Sequence, residues 1–252
     1  MQLFTDPSAH NDTSLSIISR TARYAAWFSV ALGLFMIIAW YCHIEWLVTN
    51  FYWIFYMQVN TALLFFVSGL GLLFTLGNKK RRVLVTGSAS FLVIVGLITI
   101  IEFLTGINIG IDELLLKDYL HTENAYPGRI SPNTALAFIC VGVVLILSTN
   151  DNPRLSYVIA SELLSFFVFV LGTMAMAGHL SVVEIAYNWG TYSRMSIPTA
   201  AGLVVLGVGL LALVWHNQNV RIARIPLWVP ALLCFLIFLF DLAMPLSAKV
   251  LR

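Results

Sequence analysis

Apolar and polar positions along this chain are arranged in blocks. Long runs of Leu, Val, Ile, Phe, Ala and Gly cover residues 24–47, 59–77, 83–105, 132–149, 155–178, 196–215 and 226–246, with short polar stretches between them. Such runs match the roughly 20 residues needed to cross about 30 Å of hydrocarbon. The pattern therefore predicts an all-α integral membrane protein with seven transmembrane helices. Helices follow because lipid offers no partner to a bare backbone amide. The short alternating segments of a transmembrane barrel are absent from the sequence.

Three of the runs open with nearly the same polar cluster. The copies are Met57-Gln58-Val59-Asn60-Thr61-Ala62-Leu63, Arg129-Ile130-Ser131-Pro132-Asn133-Thr134-Ala135-Leu136 and Arg194-Met195-Ser196-Ile197-Pro198-Thr199-Ala200-Ala201. Their spacing of about 65 to 75 residues is one helical hairpin, which predicts a repeated unit. Gly33, Gly96 and Gly172 sit at matching points of the preceding runs. The expected architecture is three parallel hairpin repeats, over residues 24–77, 83–149 and 155–215, plus an extra helix at 226–246. Residues 1–23 form an N-terminal segment and 247–252 a C-terminal end. Glycines further along the second helix of each pair, such as Gly69, Gly142 and Gly207, permit close helix approach.

Composition agrees, with 60% hydrophobic and 10% charged residues and a mean hydropathy of +0.89. A water-soluble surface needs far more charge. The net charge of +2 says little, but its distribution says more. Arg20, Arg23, Lys79, Lys80, Arg81, Arg82, Arg154, Arg221 and Arg224 all flank one side of the predicted spans. Asp112, Glu113, Asp118, Glu123 and Glu184 fall in the opposite loops, against Lys117, Arg129 and Arg194. The positive-inside rule then gives a cytoplasmic N-terminus and an outward C-terminus. The first 20 residues are too polar for a secretory signal, and residues 12–23 are expected to lie as a short helix on the inner surface. Residues 111–119 carry helical apolar spacing and predict an amphipathic helix lying as a lid over the outer face. Cys42, Cys140 and Cys234 lie within or at the edges of runs and read as small core residues.

Candidate chemistry is sparse. No phosphate-binding loop, nucleophile elbow, zinc-protease motif or CxxC is present, so the chain reads as non-enzymatic. The polar clusters act either as helix caps or as an outward polar cup lined by Gln58, Asn60, Asn133 and Thr199. Acids inside the runs cost about 2.5–3.5 kcal/mol each at mid-bilayer, which singles out Glu102, Glu162 and Asp241. Glu102 and Asp241 approach the outer surface and join the cup. His43 and His179 stand at similar depth on different helices, the minimum for haem or a copper ion, without a supporting spacing on either helix. No cofactor is otherwise expected. Trp40, Trp46, Trp53, Tyr187, Trp189 and Tyr192 form an interfacial belt.

Residues 129–138 and 57–63, with the loop segment 106–115, resemble the multi-helix N-terminal regions of bacterial signalling proteins. These are similar to the MASE group of membrane-associated sensors that precede histidine kinase or diguanylate cyclase modules, often with a CHASE-type domain between. The likeness covers most of residues 24–215 and carries no ligand-binding residues across. It implies a sensory or anchoring module in a two-component or related signalling pathway, partnered by membrane lipids and an output domain or second subunit, possible as a homodimer, with no nucleic-acid partner. An outward exit of the last helix is expected to lead into an extracytoplasmic domain. The alternative readings are a haem-binding redox subunit, an assembly subunit of a larger membrane complex, and a carrier, against which parallel hairpins argue.

Overall fold

The computed structural model describes residues 7–43, 57–77, 81–117, 127–151, 153–181 and 195–218. Among them are six helices and no strand: α1 (Pro7–Tyr41), α2 (Val59–Thr75), α3 (Arg82–Thr105), α4 (Pro132–Leu147), α5 (Leu155–Ser181) and α6 (Ile197–Gln218). Four stretches, Ser16–Tyr41, Arg82–Thr105, Leu155–His179 and Ile197–Asn217, are long and apolar enough to cross a membrane. Helices α2 and α4 are apolar but shorter, with 17 and 16 residues. This is the build of a membrane protein. The run at 226–246, with Asp241 and Cys234, lies outside the described residues.

Two expectations fail. The stretch at 12–23 is helical but not a separate helix, because it belongs to a continuous α1 that starts at Pro7. It contains no Pro or Gly to break the ladder, so the helix runs on. Residues 106–117 form turns and extended backbone rather than an amphipathic helix. Polar side chains from neighbouring elements take the backbone groups that a helix there would have to pair internally. The segment is a strap.

The helices pack α1 on α2, α3 on α4, and α5 on α6. Contacts of α2 with α3, α4 with α5, and α6 with α1 close a ring, and α2, α4 and α6 also touch inside it. Small residues set the spacing. A Cβ added at Gly33 would lie 2.5 Å from the Ala62 carbonyl oxygen; at Gly96, 2.9 Å from that of Ala135; at Gly172, 2.8 Å from that of Ala200. On the facing helices, Gly69, Gly142 and Gly207 approach Ala26, Ala89 and Phe169 as closely. Without a hydrophobic drive between helices in lipid, such backbone contact is what holds them together. At the centre Phe65 of α2 meets Phe138 of α4 edge-to-face, with ring centroids 5.0 Å apart. The same Phe65 ring fills the space left by Gly202 of α6.

Buried hydroxyls are satisfied locally. Ser29, Ser68, Thr75, Ser148 and Ser165 each donate to the carbonyl four residues earlier, the solution open to a hydroxyl among apolar neighbours. Large apolar side chains on α1 and α3 point away from the bundle, among them Tyr24, Trp27, Phe35, Val83, Ile94 and Leu104. Hydrocarbon would solvate such a surface and water would not.

Candidate functional site

Three helix junctions meet at one end of the bundle, α1 to α2, α3 to α4, and α5 to α6. Two close by the same device. Trp40 Nε1 donates to the Met57 carbonyl at 2.7 Å, and His179 Nε2 lies 2.8 Å from the Met195 carbonyl. Trp40 and His179 each follow their hairpin glycine by seven residues; the corresponding residue of α3 is Phe103, whose ring has no N–H to donate. Charged groups crowd the junction there instead.

The construction begins with two glycines. Gly106 ends α3 in the left-handed region, at φ 70, and its N–H caps the Glu102 carbonyl at 3.0 Å. This turns the strap back over the helix end, where the Ile109 N–H donates to Glu102 Oε1 at 2.7 Å. Gly128, at φ 74, passes so close to the strap that a Cβ would lie 2.5 Å from the Asp112 carbonyl oxygen. That approach sets Arg129 against the acids. Arg129 Nε donates to Asp112 Oδ2 at 2.7 Å, and Nη2 lies 3.9 Å from Glu102 Oε2 and 3.5 Å from the Ile107 carbonyl.

Neighbouring helices hold the strap down. Asn60 Nδ2, from the first turn of α2, donates to the carbonyls of Ile111 and Asp112 at 3.1 and 2.8 Å. The Tyr41 hydroxyl at the end of α1 donates to the Leu115 carbonyl at 3.1 Å. Glu102 is 0%, Arg129 3% and Asp112 5% exposed. Two carboxyls thus share one guanidinium away from solvent. Glu102 Oε2 is buried and has no hydrogen-bond partner. Burial pushes the Asp112 carboxyl above its ordinary range, offset in part by its bond to Arg129.

The sequence-predicted residues divide. Asn60 and Glu102 come together through the strap. Gln58, Asn133 and Thr199 are buried at the starts of α2, α4 and α6. The Thr199 hydroxyl is engaged with Ser196 at 2.8 Å, as Thr134 is with Ser131 at 2.7 Å; both serines also accept the N–H three residues on. The amide of Asn133 makes no hydrogen bond to the described residues, although only 7% of the residue is exposed. Glu162 is buried on α5. His43 is exposed just past α1 at φ 47, where it ends the helix, its Nδ1 3.2 Å from the Tyr41 carbonyl. Among the described residues no group of three or more His, Cys, Asp or Glu is placed to hold a metal ion. Trp40, expected in an interfacial belt, is instead a core residue, 3% exposed.

The sequence reading places Asp112 and Arg129 among the loop charges and outside the polar cup. Their signal was present: a lone arginine before an apolar run, and Pro127-Gly128 placing it after a tight turn. Comparison with protein-family models, with curated proteins and with solved structures finds no match.

Proposed function

We propose that this chain is the membrane-embedded sensory module of a bacterial inner-membrane signalling protein. It is built from three parallel hairpin repeats and a seventh span, with its N-terminus inside and its C-terminus outside. The strap end then faces out, where it receives the stimulus, and the helices carry the response to an output domain or a partner subunit. The observation supporting this reading is the concentration of buried polar and charged groups at one end. Glu102, Asp112, Arg129 and Asn133 are buried there, with the half-buried Asn60 bonded to the strap, whereas the other end shows the exposed ion pair of Arg82 with Asp151. Exposed pairs of that kind contribute little. Buried ones are sensitive to any change in their partners.

A stimulus acts by binding one helix arrangement better than another. At the strap end such a preference has a direct lever, because the strap joins α1, α2, α3 and the start of α4. Amide exchange on the full chain in lipid nanodiscs tests the reading across a panel of outer-face conditions: proton concentration, cations, osmolytes and small polar metabolites. The expected result is a condition that alters protection both at the strap and at the far ends of α3 and α4. Changes that never pass beyond the strap, under every condition, would leave the bundle an anchor and defeat the sensory reading.

A further inference from the structure

We propose that Glu102 and Asp112 together form a binding site for one proton, taken from the strap-end solvent, and that its occupancy keeps the strap docked. The inference rests on the sensory reading for its physiological role and on the geometry alone for its existence.

With both acids ionised, the cluster of Glu102, Asp112 and Arg129 carries one net negative charge in a site closed to water. Arg129 spends its Nε on Asp112 and lies 3.9 Å from Glu102 Oε2, beyond hydrogen-bond reach. That oxygen is buried and unbonded. A single proton removes both defects, cancelling the net charge and turning the orphaned oxygen into a donor facing the other carboxyl. No bond other than O–H forms or breaks. Because the two acids interact, the proton belongs to the pair and titrates as a property of the pair.

Among the described residues, the charged groups that act on the pair are Arg129 before α4 and Glu113 on the strap, whose charge adds to the repulsion on Asp112. Helix α2 presents the neutral Asn60, and α1 presents the Tyr41 hydroxyl. Loss of the proton leaves two carboxylates repelling across one guanidinium. The repulsion falls on the strap, which is tied to Glu102 through the Ile109 N–H and to Arg129 through Asp112.

Infrared difference spectra of the full chain in nanodiscs, recorded between acid and alkaline buffer, test the site. The expected result is a protonated-carboxyl band that vanishes on alkalinisation, is lost in Glu102→Gln and in Asp112→Asn, and persists in Glu162→Gln and Asp241→Asn. A band that survives both cluster variants, or no such band in the wild type at any pH, overturns the proposal. Amide exchange in the wild type gives a reading that needs no variant to fold. After correction for intrinsic pH dependence, exchange at Ile109 should rise roughly tenfold through the same transition, the equivalent of about 1.4 kcal/mol; a flat corrected rate overturns the proposal. If the band titrates but protection changes only at the strap under every condition of the panel, the proton site stands and the sensory reading fails. If no band titrates while another stimulus moves α3 and α4, the sensory reading stands and the proton site fails.

Discussion

The junction between α5 and α6 and the junction between α3 and α4 occupy equivalent places in their hairpins and are closed by different chemistry. At α5/α6 a ring nitrogen of His179 meets the Met195 carbonyl, and a serine caps the next helix. At α3/α4 the aligned position is Phe103, and closure falls to Glu102, Asp112 and Arg129 under a strap. The first is a fastener made to a backbone carbonyl. The second sets two buried carboxyls against one guanidinium, and its energy depends on every partner being present. On the proposed sensory reading, this second junction is the end at which the bundle responds.

The largest expected break in that contrast is Arg129→Met. Removing the guanidinium strands two buried acids and should cost about 3–5 kcal/mol, read as lowered thermal stability in detergent micelles. His179→Phe at the equivalent junction leaves one carbonyl unpaired and should cost about 1–3 kcal/mol by the same measurement. Equal losses would erase the distinction between the junctions.

Next come the helix contacts that the hairpins share. Gly96→Val and Gly172→Val each push a side chain into a facing backbone, an overpacking cost of about 1–3 kcal/mol. The two should destabilise alike, since the approaches are alike; a difference above this range would separate the hairpins in packing as well as in chemistry. Gly128→Ala combines a left-handed residue with contact against the Asp112 carbonyl. It should cost at least the roughly 1–2 kcal/mol of the backbone conformation alone and should raise amide exchange in the strap without touching α5 and α6.

The smallest effect concerns pH. Asp112 holds its proton more readily when folded than when unfolded. Its contribution to stability is therefore complete below its ordinary value, about 3.9, and fades as pH climbs through the raised folded value. Strap protection should fall with rising pH, and Asp112→Asn should abolish that dependence. A strap that instead loosens on acidification contradicts the assigned sign.

Much of the scaffold was legible because its punctuation is local. Ser131-Pro132 and Ser196-Ile197-Pro198 announce helix starts, and α2 to α6 begin within a residue of the apolar boundaries read from sequence. Helix α1 departs from the apolar pattern at both ends. Its polar N-terminal stretch has no breaker, so it joins the span, and its C-terminus stops at Tyr41, where His43 turns left-handed, although the apolar run reads on to residue 47. The strap departs from its pattern for a different reason. Apolar spacing at Ile111, Leu114 and Leu115 has helical period, but tertiary partners had already claimed its backbone, Asn60 taking two carbonyls and Glu102 an N–H. Glu102 stood out as an acid inside an apolar run. Its partners Asp112 and Arg129, ten and 27 residues on, read as ordinary loop charges, because no sequence period links groups that a glycine turn brings together.

Orientation carries the whole account, because the strap receives a signal from outside only if it lies there. Impermeant thiol labelling of intact cells decides this, using Leu114→Cys on the strap and Asp151→Cys at the opposite end, with the native cysteines replaced. Both positions are exposed. The account predicts that Leu114→Cys reacts before the membrane is opened and Asp151→Cys only afterwards. The reverse order would put the carboxyl pair on the inside and contradict it.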